Sequence, residues 1–331
     1  MFLAGDIGGT KTLLAIGRAE GGKGTIVRKE KFPSRSFPSL SAVIEKFLRG
    51  EKLQCAAFGI AGPVERGECK TTNLPWDVKE SEIAAAFSIP RVTLLNDLVA
   101  NAYGIQTLSF LDLLQVHAGE KREGTRVLIS AGTGLGVSTL FYEEGQSIPT
   151  ASEGGHADFA PRSSLEFDLF LYLQNKFGHV SCERVISGQG LANIYDFLTD
   201  TGRAPKNGAV EAAFKTETVR GKVISSFGLE GKDKACLQTL ELFVSLYGAE
   251  AGNMALRSCA VGGVFLGGGI APKLVKFIQR EELFFRSFCE KGRLAEYLKK
   301  IPVSVILNEE TALAGALHYC ATKRSLRKKA V

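Results

Sequence analysis

Several familiar signatures are missing from this 331-residue chain. There is no C-x-x-C pair among its seven cysteines (55, 69, 182, 236, 259, 289 and 320). Scattered and odd in number, they give neither a disulfide framework nor a zinc-ligand spacing, and they fit free thiols in a reducing cytosol. No run of 18 apolar residues occurs, so nothing in the sequence reads as a membrane-spanning helix. Asp6 and Lys11 interrupt the apolar start before a signal-peptide core can form. No acid follows Glu310, whereas Lys323, Arg324, Arg327, Lys328 and Lys329 account for nearly all of the formal net charge of +6. The rest of the chain is close to neutral. A nucleic-acid binder carries its basic residues as a stripe within the fold; a basic tail reads instead as a solvated terminus. No G-x-x-x-x-G-K-[ST] segment is present, which excludes a P-loop.

What is present is a pair of glycine-threonine turns. Leu3-Ala4-Gly5-Asp6-Ile7 runs into Gly8-Gly9-Thr10 and out through Lys11 to Ile16; Val127-Leu128-Ile129-Ser130-Ala131 runs into Gly132-Thr133-Gly134 and out through Leu135 to Leu140. Each is an apolar run, a tight turn and a second strand-like run. Glycine lets backbone amides approach an anion closely, and threonine hydroxyls add short donors. Two such hairpins predict two lobes that share one polyphosphate. A third glycine turn, Gly267-Gly268-Gly269, follows Val264-Phe265-Leu266. Any one cluster is equally compatible with an ordinary hairpin or helix cap. Gly132-x-Gly134-x-Gly136 superficially resembles a dinucleotide fingerprint, but the residues after it are β-formers, and that fold needs a helix there.

Apolar periodicity predicts strands at 2–7, 12–18, 55–61, 92–95, 127–131, 136–142, 264–266 and 303–307. It predicts helices near 38–49, 80–87, 97–104, 164–177, 188–200, 234–258 and 309–321. Strand hairpins followed by alternating helix and strand give an α/β chain with mixed sheets flanked by helices. The pattern opens at residue 2 and restarts at 126, a faint repeat of whole domains, with 105–124 as a variable connection.

Taken together, Asp6-Ile7-Gly8-Gly9-Thr10-Lys11-Thr12, Ala61-Gly62-Pro63, Leu95-Asn96-Asp97, Gly132-Thr133-Gly134-Leu135-Gly136, Ser152-Glu153-Gly154-Gly155-His156, Cys182-Glu183-Arg184-Val185-Ile186-Ser187-Gly188 and Leu266-Gly267-Gly268-Gly269-Ile270 resemble the bacterial glucokinase family, in order along nearly the whole chain. The resemblance implies two actin-like (ribonuclease H-like) α/β domains with a cleft between them. It places 1–107 plus 308–331 in a smaller lobe and 108–307 in a larger one. Crossings near 104–110 and 305–309 would then serve as a hinge. The related repressor/ORF/kinase (ROK) sugar kinases add a zinc-binding cysteine cluster after the histidine. Residues 157–181 contain no cysteine and Cys182 stands alone, which favours the zinc-free branch. Only five residues precede Asp6, which argues against the family's repressors and their DNA-binding module.

By this resemblance the substrates are ATP with Mg²⁺ and D-glucose, with no zinc, nucleic acid or membrane involved, and a cytoplasmic homodimer is expected. Asp97 would be the general base for the sugar 6-hydroxyl; on the residues alone it reads equally as a helix N-cap. Asn96 offers both a donor and an acceptor to a sugar hydroxyl. Glu153, His156 and Glu183 would grip further sugar hydroxyls, the double glycine between the first two marking a loop with close backbone approach. A set of acceptor carboxylates selects a polyol. Asp6 would help hold Mg²⁺ through water, its alternative being a turn aspartate. Gly8, Gly9, Thr10, Gly132, Thr133 and Gly268 would contact the nucleotide. Lys11 is either a phosphate contact or a solvated hairpin lysine. A kinase for mannose or an N-acetylhexosamine, and a sugar-binding regulator without turnover, are the competing functions; an actin-like filament protein would give no reason for the Glu153, His156 and Glu183 set.

Overall fold

A computed structural model describes residues 1–20, 23–71, 73–280 and 282–328, the side chains of Lys23 and of the residues beyond Thr322 excepted. The basic tail Lys323, Arg324, Arg327, Lys328 and Lys329 lies outside the described side chains. The chain divides into two compact units. The first comprises Met1–Asp112, Ser147–Ala151 and Asn308–Val331, the second Leu113–Gln146 and Ser152–Leu307. Residues 108–112 and 147–151, expected in the larger lobe, therefore group with the first unit.

The first unit is built on strands β1 (Phe2–Ile7), β2 (Lys11–Glu20), β3 (Lys23–Pro33) and β4 (Cys55–Ile60), a small hairpin β5 (Glu68–Lys70) and β6 (Asp77–Lys79), and β7 (Val92–Asn96). The main sheet runs β3-β2-β1-β4-β7. β1 to β3 form an antiparallel meander, while β4 and β7 run parallel to β1. Helices α1 (Leu40–Phe47), α2 (Glu80–Phe87) and α3 (Asp97–Ile105) and a C-terminal helix (Thr311–Lys328) belong to the same unit. Six buried residues in a row on β4, Cys55 to Ile60, mark a strand covered on both faces. On one face, Leu3, Leu14, Phe58 and Leu94 pack with α1 around Val43 and Phe47. On the other, Phe2, Ala4 and Ala57 pack with Val99 of α3 and Leu313 and Leu317 of the C-terminal helix.

The second unit repeats this topology. β8 (Leu113–His117), β9 (Arg126–Ala131), β10 (Leu135–Glu143), β12 (Gly263–Gly267) and β13 (Val303–Ile306) form a sheet in the order β10-β9-β12-β13-β8, while β11 (Gln146–Thr150) lies almost wholly in the segment that groups with the first unit. Again an antiparallel hairpin, β9 and β10, leads to two parallel strands, with β8 added antiparallel at the edge. Helices α4 (Ser164–Phe177), α5 (Gly188–Asp200), α6 (Gly208–Thr216), α7 (Arg220–Leu229) and α8 (Lys234–Arg257) are followed by short helical segments at Val275–Ile278, Phe284–Cys289, Gly292–Leu294 and Ala295–Leu298. Fully buried Tyr247 of α8 donates its hydroxyl to the Ile129 carbonyl at 2.9 Å and fixes this helix to β9.

The expected elements are found within a few residues of the predicted bounds. Five strands and the helices α6 and α7 escape the sequence pattern; β5 and β6 are only three residues long. β8 lies inside the stretch read as a variable connection, because its five residues are all half-buried or exposed and show no apolar alternation. β11 carries a proline and one buried residue. β3 is a charged edge strand, with Phe32 its buried anchor, and lysine-rich edges discourage pairing with other chains.

Candidate active site

In the first unit the candidate residues gather at one end of the sheet. Parallel register sets Asp6 opposite Gly59, and Ile60 opposite both Ile7 and Asn96. Asp6 and Asn96-Asp97 therefore stand at the same ends of the two strands that flank β4. Gly59 makes this approach possible: a Cβ there would lie 2.7 Å from the Ala100 side chain, so α3 sits directly over the end of β4.

The turn from Gly8 to Thr10 closes the β1–β2 hairpin. Two of its carbonyls are held by Ser34. Gly8 accepts from the Ser34 hydroxyl at 2.7 Å and Thr10 from the Ser34 amide at 3.1 Å, while Thr12 and Ser34 share a 2.9 Å hydroxyl contact. A Cβ on Gly9 would stand 2.6 Å from that of Asn73, so a loop beyond β4 presses on this turn. Thr10 and Lys11 are exposed. Ser34 and Asn73 are positioning residues that the sequence pattern does not reveal, because both lie outside the glycine clusters.

The helix-cap role falls on Asn96. Its Oδ1 accepts from the Leu98 amide at 3.0 Å and the Val99 amide at 3.4 Å, and its Nδ2 lies 3.5 Å from the Gly62 carbonyl. Asp97 is the first residue of α3, with Oδ1 accepting from the Leu98 amide at 2.9 Å. The reading of Asp97 as the N-cap is thereby replaced. It occupies the positive end of the helix, where a carboxylate is favoured. Burial pushes the half-buried Asp6 carboxyl up to about 6; Lys11 opposes the shift and the negative field of Asp97 adds to it.

In the second unit the glycine turn is tied to the segment that carries Glu183. The Gly132 amide donates to the Gly134 carbonyl at 2.8 Å, which closes the turn. The Gly132 carbonyl accepts from Gly188 at 2.8 Å, and the Leu135 amide donates to Glu183 Oε2 at 2.8 Å. A Cβ on Gly134 would sit 2.4 Å from that oxygen, whereas a Cβ on Gly132 would meet nothing within 4 Å. Gly134 is thus required by its neighbour, and Gly132 leaves open space. Gly268, at φ +80°, is the left-handed residue that ends β12, and a side chain there would strike the Ala131 carbonyl at 2.2 Å. This brings the third glycine turn against the second.

Glu153 and His156 flank a helical turn, Gly154–His156, in which the His156 amide donates to the Glu153 carbonyl at 3.0 Å. A Cβ on Gly155 would lie 1.9 Å from the Leu135 carbonyl, so the turn rests on the start of β10. Leu135 is therefore common to both pieces: its amide holds Glu183, and its carbonyl meets the loop between Glu153 and His156. The segments just beyond pair as well, Cys182 donating to Ala157 at 2.9 Å and Phe159 to Val180 at 2.9 Å. Glu153 and His156 are exposed and Glu183 is half-buried. Ser187 accepts the Gly190 amide at 2.9 Å, caps α5 and donates its hydroxyl to the Glu183 carbonyl at 2.8 Å.

Among the described residues no three His, Cys, Asp or Glu side chains come together as a metal-ligand cluster. No helix there is long and apolar enough to cross a membrane.

The chain is similar to known proteins. The family model described as Glucokinase matches residues 3–323. The curated glucokinase of a Nostoc species is 40% identical over 341 aligned residues, covering 98% of this chain and 99% of that protein. Among solved structures, glucokinase from an Antarctic psychrotroph superposes with a TM-score of 0.84 at 30% identity, over 97% of this chain and 98% of the other. The glucokinase of Balamuthia mandrillaris, solved in complex with glucose, superposes at 0.76 with 22% identity over 97% and 93% of the two chains, a likeness of fold. With its two α/β units, its doubled sheet topology and a family match that runs almost end to end, the chain belongs to the glucokinase family.

Proposed function

We propose that this protein transfers the γ-phosphoryl group of ATP to the 6-hydroxyl of D-glucose, giving glucose 6-phosphate and ADP. The observation that carries the reading is Asn96-Asp97 at the strand-to-helix junction beside Asp6, within a chain of this family. Asp97 takes the proton from the 6-hydroxyl as the new P–O bond forms. Asn96, whose carboxamide is already fixed by the cap, orients this junction and offers its remaining hydrogen-bonding capacity to the sugar. Glu153, His156 and Glu183 bind the other hydroxyls, Glu183 with one oxygen already fixed by Leu135. Gly8, Gly9, Thr10, Lys11, Gly132, Thr133 and Gly268 form the turns that receive the nucleotide phosphates; the Gly8 and Gly132 amides close those turns from within, so the contacts fall to the other backbone, hydroxyl and ammonium groups. Phosphoryl transfer asks little covalent chemistry of the protein, so positioning and charge neutralisation provide most of the rate.

The donor set also fits Mg²⁺. Asp6 is a hard oxygen donor whose ionised form is disfavoured by burial and by Asp97, and a divalent cation beside it would reverse that penalty. A single such carboxylate suits an ion held mainly by nucleotide phosphates and water. When bound, Mg²⁺ supplies charge neutralisation on the transferring phosphate. We take this to be the protein's metal, with no zinc, and place the protein in the cytoplasm as a homodimer; these points rest on the family resemblance.

The test is ADP release in a coupled assay across glucose, mannose and N-acetylglucosamine, with polyphosphate as an alternative donor. Glucose with ATP should give the highest kcat/KM. Preference for an N-acetylhexosamine, or for polyphosphate, would replace the assignment. Sugar binding without turnover would make the protein a sugar-responsive regulator.

A further inference from the structure

Cys55, the first residue of β4, and Cys320, in the C-terminal helix, are 265 positions apart in sequence, yet their sulfurs stand 2.7 Å apart. Both are buried. Arg91, which precedes β7, directs Nε at 3.3 Å and Nη2 at 3.2 Å to the Cys55 sulfur, and the same Nη2 lies 3.4 Å from the Cys320 carbonyl. The pair is chemically unequal. The Cys320 thiol as donor, and the guanidinium beside it, push Cys55 down to about 7, whereas burial holds Cys320 well above the usual thiol range. One sulfur is set to be a thiolate and its neighbour to remain a thiol. That is the arrangement of an attacking and a resolving cysteine. The other cysteines differ: burial pushes Cys182 up to about 12, Cys69 and Cys236 are also raised, and Cys259 is exposed. No part of the phosphoryl-transfer chemistry uses Cys55, Cys320 or Arg91.

We propose that Cys55 and Cys320 form a two-electron oxidation site at which hydrogen peroxide converts the dithiol into a disulfide joining β4 to the C-terminal helix. The Cys55 thiolate attacks one peroxide oxygen. The O–O bond breaks, and the departing hydroxide takes up the proton that Cys55 released. Sulfur is oxidised to the sulfenic acid and peroxide is reduced to water. Cys320 then attacks the Cys55 sulfur. The S–S bond forms as the S–O bond breaks, and hydroxide leaves with the Cys320 proton as a second water. Arg91 is a positioning residue that holds the attacking sulfur as thiolate. Burial of both sulfurs rejects a bulky oxidant such as oxidised glutathione, which leaves a molecule as small as hydrogen peroxide as the oxidant. The same helix packs on α3, whose first residue is Asp97, so the cross-link would fasten the helix that backs the candidate base.

The test uses the full-length protein. It is treated with hydrogen peroxide or oxidised glutathione, alkylated under denaturing conditions and mapped by peptide mass. Peroxide should give a Cys55–Cys320 linked peptide that dithiothreitol reverses, and glutathione should leave both residues alkylatable while modifying Cys259. Cys320→Ser should stop at a sulfenic acid on Cys55 that a dimedone-type reagent traps. Arg91→Gln should slow disulfide formation about fivefold at pH 7, the loss of thiolate expected when a pKa of about 7 rises by one unit. The proposal fails if wild-type protein, with Cys259 already oxidised by peroxide, still yields both thiols unlinked; this outcome needs no variant to fold. A glutathione adduct on Cys55 would overturn the size selection. An unchanged rate in Arg91→Gln would remove Arg91 from the site.

Discussion

Glu183 Oε2 accepts the Leu135 amide at 2.8 Å, over a glycine whose missing side chain leaves it room. One hydrogen bond thus joins a carboxylate proposed to bind sugar to the turn proposed to bind nucleotide phosphate. Gly134→Ala tests the link. The new methyl would lie 2.4 Å from Oε2, so the carboxylate must swing away and leave the Leu135 amide without its partner. A lost hydrogen bond to a charged group costs about 1.5–3 kcal/mol, or roughly 10- to 100-fold in kcat/KM for glucose. KM for both glucose and ATP should rise in steady-state kinetics. A rise for glucose alone would show that the turn itself is not disturbed.

Asp97→Asn should keep the fold and the sugar affinity while kcat falls by about 10²–10⁴-fold, the usual loss on removing a general base. The fold should survive because Asn96 provides the cap and an asparagine oxygen can still accept the Leu98 amide. Glucose binding by calorimetry, alongside turnover, separates the two effects. More than half of wild-type turnover would exclude Asp97 from the chemistry.

Asp6 should leave a signature in stability. Burial raises its folded carboxyl to about 6, above the ordinary aspartate value of 3.8. Between these values the native state holds a proton that the unfolded chain has released. Stability therefore falls as pH rises from about 4 to about 6, and this contribution is then constant. The cost of the ionised form is about 2–3 kcal/mol. Asp6→Asn should be more stable than wild type by about that amount at pH 7.5, in the absence of nucleotide, and should lose that part of the slope. Urea denaturation at pH 4.5 and 7.5 decides. Equal stability of the two proteins at pH 7.5 would mean that Asp6 carries no such penalty.

Much of the fold was legible because its strands are apolar runs ending in glycine. Gly8-Gly9, Gly62, Gly132 and Gly268 all follow such runs. The doubled hairpin likewise signalled two repeated units. What stayed hidden depends on contacts distant in sequence. Nothing in the local sequence says that Ser34 will hold the Gly8 carbonyl, that Asn73 will press on Gly9, or that Gly155 will rest on Leu135. The exchange of roles at Asn96-Asp97 was within reach but ambiguous, since either residue type caps a helix well and a one-residue shift in the helix start decides which does. Cys55 and Cys320 illustrate the extreme case, two unremarkable thiols in sequence that the C-terminal helix brings together.

That helix supplies the last prediction. Gly315 faces α3 so closely that a Cβ would fall 1.8 Å from the Ala100 carbonyl and 2.5 Å from the Gly104 amide. Gly104 in turn admits the Thr311 carbonyl, which would lie 2.0 Å from a Cβ there. These are backbone clashes, so no rotamer change relieves them and the two helices must separate. Overpacking of this kind costs about 3 kcal/mol, and a drop in Tm of roughly 5–10 °C is expected for Gly315→Ala. Because α3 begins at Asp97, turnover should fall in the same variant below its unfolding temperature. Gly208→Ala is the matched control. It opens α6, has nothing within 4 Å of the added methyl, and should change stability by less than about 0.5 kcal/mol. If the two alanine variants melt together, the close packing of the C-terminal helix on α3 is not what holds the first unit.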